Sequence, residues 1–93
     1  MILKMSGPLR IDNLRHYPAE MAERLRSLLE TGALALPDPH RKGFYDLEDG
    51  DRRFYIHVCP SGTVLWLATW RAEGARPAAV QEAPLAEAVV CCG

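Results

Sequence analysis

Two turn signals constrain this chain most: Asp49-Gly50-Asp51 and Pro60-Ser61-Gly62-Thr63, set inside an aromatic and β-branched stretch from Gly43 to Trp70. Gly supplies positive φ and Pro presets φ, so both sites reverse the chain. The segments they separate are Phe44 to Glu48, Arg52 to Cys59 and Val64 to Trp70, each short and rich in strand-favouring residues. The sequence therefore predicts a three-stranded antiparallel β-meander. Side chains alternate across a strand, which puts Phe54, Ile56 and Val58 on one face and Tyr55, His57 and Cys59 on the other. On the third strand the same alternation assigns Leu65 and Leu67 to the first face and Val64, Trp66, Ala68 and Trp70 to the second. Both faces need cover.

One helix is expected upstream. Pro18 suits a first helical turn, where its missing N–H costs nothing, Glu20 is favourable near the positive end, and Gly32 ends the run. Met21, Leu25, Leu28 and Leu29 recur at i, i+4, i+7 and i+8 and form one apolar stripe, matched to the sheet face of Phe54, Ile56 and Val58. The fold class is α+β: one amphipathic helix on the meander and a loose C-terminal tail, with an N-terminal segment, Met1 to Ile11, that alternates weakly and either adds an edge strand or stays loose. Ala33 to Lys42, with Pro37-Asp38-Pro39, reads as a short semi-rigid loop. Residues 1–71 are expected to form a single domain and 72–93 a linker and tail.

A chain of 93 residues supports one modest core. Its formal net charge of -1 argues against nucleic acid, since phosphate binding draws on clustered positive charge. His40-Arg41-Lys42 and Arg52-Arg53 bunch locally and read as the solvated rim of a sheet. No apolar run has the length of a signal peptide or membrane span, so a cytoplasmic location, with no membrane partner, is expected. Three cysteines, two of them adjacent, make no disulfide framework and read as reduced thiols. No cofactor is expected.

Three constellations are candidates for chemistry. His57 and Cys59 share a strand face two residues apart, and an imidazole can activate a thiolate, which defines a cysteine-dependent enzyme as one function class. Cys91-Cys92-Gly93 can hold a soft ion such as Cu(I) or Hg(II), which defines a soft-metal carrier as another; zinc would need further ligands, such as His57 and Cys59. This ending resembles the C-terminal Cys-Cys pair of mercuric reductases, a likeness that covers the last few residues and implies onward transfer of metal. Asp46, Glu48, Asp49 and Asp51 lack the spacing of a glycosidase pair or a calcium loop and read as turn and solvent residues.

The second sheet face is the remaining feature. Phe44, Tyr55, His57, Val64, Trp66 and Trp70 are expected to form an aromatic interaction surface there. The preferred function is a non-enzymatic binding or adaptor protein that binds a protein partner or self-associates as a homodimer through that surface.

Overall fold

The computed structural model describes residues 1–7 and 9–74. In chain order the elements are β1 (Ile2–Leu3), β2 (Arg10–Asn13), α1 (Ala19–Thr31), β3 (Ala33–Pro37), β4 (Phe44–Asp49), β5 (Arg52–Val58) and β6 (Thr63–Arg71). The fold is α+β. The predicted meander is β4-β5-β6, the middle of a six-stranded mixed sheet in the order β1-β3-β4-β5-β6-β2. All neighbours are antiparallel except β2 and β6, which run parallel.

Local chemistry explains the central hairpins. Asp49 pairs with Arg52, leaving Gly50 and Asp51 as a two-residue loop, and Gly50 takes φ 57° as such tight hairpins require. Gly62, at φ 94°, turns the second hairpin, where its N–H donates to the Cys59 carbonyl at 2.9 Å. Strand ends fall within a residue of those read from the sequence.

Two strands go beyond the single N-terminal edge strand that the sequence offers. Ala33–Pro37 is a strand and not a connecting loop: Ala33 and Ala35 are buried while Leu34 and Leu36 are exposed, a strict period of two. Pro37 falls at the strand end, next to an edge, where a missing donor is tolerated. The N-terminal segment supplies two strands on opposite edges, β1 against β3 and β2 against β6. Between them the chain crosses the helix-bearing face, where the Met5 N–H donates to the Leu29 carbonyl at 2.8 Å.

Helix α1 begins after Pro18 and ends before Gly32, whose φ of 108° suits glycine. Its stripe packs as expected: Leu25 and Leu29 are fully buried, and Met21 and Leu28 lie partly buried against the same cluster. That cluster also holds Ala33, Ala35, Leu47, Phe54, Ile56, Val64 and Trp66.

Here the structure corrects the expected face of β6. Val58 lies directly opposite Val64, so these two share the helix-side face, and Ile56 pairs with Trp66 on that same face. The expected outer residues Val64 and Trp66 are therefore core beneath the helix, while Leu65 and Leu67 join the other cluster. A bulge follows: Tyr55 pairs with Ala68 while Ile56 pairs with Trp66, so Leu67 is the extra residue. Leu67 and Ala68, adjacent in sequence, consequently pack in the same cluster. Trp66 and Trp70, four residues apart, end on opposite sides of the sheet.

Candidate functional site

The pairing registers lay out the sheet face away from α1 as three rows. One runs Ile2, Leu34, Glu48, Arg53, Trp70; the next Leu36, Asp46, Tyr55, Ala68; the third Phe44, His57, Leu65, Asp12. Of the residues expected to form the interaction surface, the structure brings Phe44, Tyr55, His57 and Trp70 together here, with Cys59, Leu65, Leu67 and Ala68 as additions. Sequence parity missed Leu65 and Leu67 because the connection from Cys59 to Thr63 can set either face, and only the pairing of Val58 with Val64 decides.

The face has two halves. Toward β5 and β6 it is closed, with Phe44, Tyr55, Leu65, Leu67 and Ala68 between 0% and 4% exposed. Toward β1 and β3 it is open, with Ile2 65%, Leu34 45% and Leu36 56% exposed. Asp46 and Glu48 on β4 stand between the halves, Glu48 bonded to Arg53 at 2.9 Å.

A polar rim orders the closed half. The Tyr55 hydroxyl donates to Asp38 Oδ2 at 2.7 Å, and the His40 N–H donates to Asp38 Oδ1 at 2.9 Å. Arg41 stands 5.9 Å from the centre of the Phe44 ring, a cation over a π face. Burial, and then the hydrogen bond to Asp38, pushes the Tyr55 hydroxyl up to about 12. The Phe44 and His57 rings lie 4.3 Å apart, and His57 Nδ1 is 3.1 Å from the Gly43 carbonyl oxygen. Because a carbonyl only accepts, this contact fixes Nδ1 as the protonated nitrogen. Burial lowers the His57 pKa from its ordinary 6.5, outweighing the Gly43 bond. Gly43 itself is held to glycine twice, by φ 85° and by a space in which a Cβ would stand 3.0 Å from His57 Cε1.

Cys59 shares this half, 2% exposed, and its N–H donates to the Thr63 carbonyl at 2.9 Å. Cys91 and Cys92 lie outside the described residues. Among the described residues no group of three or more His, Cys, Asp or Glu side chains is placed to hold a metal ion.

The charged groups noted in the sequence separate in space. His40-Arg41-Lys42 precedes β4, while Arg52-Arg53 opens β5 at the opposite end of that strand pair. Asp49 accepts from Arg24 Nε at 2.8 Å, and this bond lowers its carboxyl below the ordinary 3.8. An open cleft of about 540 Å³ lies beside this pair, between the start of α1 and the β4–β5 turn. Its walls include Glu20, Met21 and Arg52, the last directed at the Met21 sulfur at 3.7 Å. Among the described residues, no helix is long and apolar enough to cross a membrane.

No protein-family model, curated protein or solved structure matches the chain.

Proposed function

We propose that this chain is a non-enzymatic binding or adaptor protein that self-associates as a homodimer through the sheet face away from α1, and that contact begins at its open β1–β3 end. The observation that carries this reading is the apolar strip of Ile2, Leu34 and Leu36, three large side chains on one face, each 45% or more exposed. Isolated exposed apolar residues are ordinary, but a contiguous set beside an edge strand favours association. A second copy is the simplest partner, because a two-fold contact buries the same strip from both sides. The acidic pair Asp46 and Glu48 beside the strip supplies a polar margin of the kind that interfaces use to set register.

Cys59 is nearly inaccessible where it lies, whereas a thiol nucleophile needs both access and a base. That favours binding over cysteine chemistry. The soft-metal reading rests on Cys91 and Cys92 and remains a rival proposal.

Leu34→Lys tests the dimer. Leu34 pairs across the ladder with Glu48, so the lysine gains a carboxylate neighbour and the fold is preserved while a charge enters the strip. Light scattering is expected to show a micromolar dimer for the unmodified chain and a dissociation constant raised at least about tenfold by the substitution. An unmodified chain that stays monomeric, or a dimer indifferent to Leu34→Lys, would contradict the proposal.

A further inference from the structure

We propose that the open cleft between the start of α1 and the β4–β5 turn is a second binding site, one that takes a free α-amino acid with a large apolar side chain. It lies on the helix-bearing side of the sheet, apart from the face assigned to the dimer.

Arg52 carries the argument. The arginines around it each hold a carboxylate: Arg24 donates to Asp49 through Nε and Nη2, Arg53 lies 2.9 Å from Glu48, and Arg71 lies 3.8 Å from Glu73. Arg52, half-buried, points instead at the Met21 sulfur at 3.7 Å. A thioether is a weak acceptor, whereas a guanidinium carries five donors in a planar fork that matches a carboxylate. Asp49 stands opposite Arg52 in the hairpin, but Arg24 takes up both of its oxygens. The cleft therefore presents a guanidinium whose acceptor, among the described residues, is a sulfur atom.

The rest of the lining selects among anions. Glu20 and Asp51 are exposed at the cleft walls, and neither forms an ion pair among the described residues. With Arg24 and Asp49 neutralising each other, the cleft holds one further cation and two further carboxylates. Those carboxylates repel a phosphate dianion and favour a ligand that brings an ammonium along with its own carboxylate. Released from Arg52, the Met21 sulfur becomes a contact for an aromatic or aliphatic side chain, with the buried Phe54 behind it. The cleft volume of about 540 Å³ falls within the range of about 300 to 1,000 Å³ typical of small-ligand sites.

The test is calorimetric titration of the full chain with four probes: L-phenylalanine, 3-phenylpropionate, which lacks the ammonium, phenethylamine, which lacks the carboxylate, and inorganic phosphate. L-Phenylalanine is expected to bind with a dissociation constant below about 1 mM, and each of the others at least about tenfold more weakly, as the loss of one charge-assisted hydrogen bond implies. Arg52→Gln is expected to weaken L-phenylalanine at least about tenfold. Glu20→Gln with Asp51→Asn, both at exposed positions, is expected to weaken L-phenylalanine while 3-phenylpropionate binds no less tightly than before. Absence of saturable L-phenylalanine binding up to about 10 mM, 3-phenylpropionate or phosphate bound as tightly, or full affinity in a folded Arg52→Gln chain would overturn the proposal. The four-probe comparison uses the unmodified chain, so it decides even where Arg52→Gln fails to fold. Dimer formation is read separately by Leu34→Lys on the other face, so the two proposals fail independently.

Discussion

Trp66 shows what one residue can decide. Its ring lies 4.7 Å from Tyr17 and 5.8 Å from Phe54, fully buried between sheet and helix. Around it the Tyr17 hydroxyl accepts the Thr69 N–H at 3.1 Å, and the Asn13 side chain bonds both the N–H and the carbonyl of Tyr17. Trp66→Ala is expected to cost about 3 to 5 kcal/mol in urea unfolding, the range for large aromatic truncations in cores. Its effect is therefore expected on the fold, because the residue lies beneath the helix and not on the proposed binding face. The indole Nε1 has no acceptor among the described residues. An orphaned donor costs roughly 1 to 3 kcal/mol, so Trp66→Phe, which removes it, should cost much less than Trp66→Ala. Equal losses would contradict this packing.

Two residues on the closed half contribute to the pH response with opposite signs. The folded His57 pKa lies below 6.5, so an unfolded chain binds more protons as pH falls. Its contribution is complete above pH 6.5 and is lost as pH drops from there through the folded value. Tyr55 has the opposite sign: pushed from 10.0 to about 12, it contributes fully below pH 10 and loses that contribution as pH rises toward 12. Chemical denaturation across pH is expected to show both limbs, with His57→Gln flattening the acid limb just below pH 6.5. An acid limb unchanged by His57→Gln would place the responsible group elsewhere.

Among the elements, legibility follows the range of the interactions. The β4–β5 and β5–β6 hairpins are written in Gly50 and Gly62, and α1 in the spacing of Met21, Leu25, Leu28 and Leu29, because turns and helices are made by neighbours in sequence. β1 and β2 are two and four residues long and exist through partners far along the chain, β3 and β6, so the weak alternation of Met1 to Ile11 offers one edge strand and not two on opposite edges. β3 did carry a signal, the alternation Ala33-Leu34-Ala35-Leu36, masked by Pro37 and Pro39. The face of Trp66 was hidden for another reason. The register of one connection reverses the parity of Val64 to Leu67, a bulge at Leu67 restores it for Ala68 and Trp70, and neither is coded by residue type. The candidate surface was thus legible in Phe44, Tyr55, His57 and Trp70, and illegible in Leu65 and Leu67. At this scale Leu25→Ala is expected to cost about 2 to 5 kcal/mol, and Leu28→Ala, at a partly buried position, clearly less. Similar losses at both would mean the helix is rotated from the placement described.

At the scale of the whole molecule, one helix covers one sheet face, and the proposed function assigns binding to the other. Ile2, Leu34 and Leu36 stay in water at its β1–β3 end, while Phe44, Tyr55 and Leu67 do not. The proposed association through this face would protect particular amides. Hydrogen exchange compared between submicromolar and high micromolar protein measures that directly. Protection is expected to rise with concentration in β1 and β3, and to stay constant in α1. A rise confined to α1, or no rise anywhere, would contradict the central claim that this face is the one through which the chain binds its own copy.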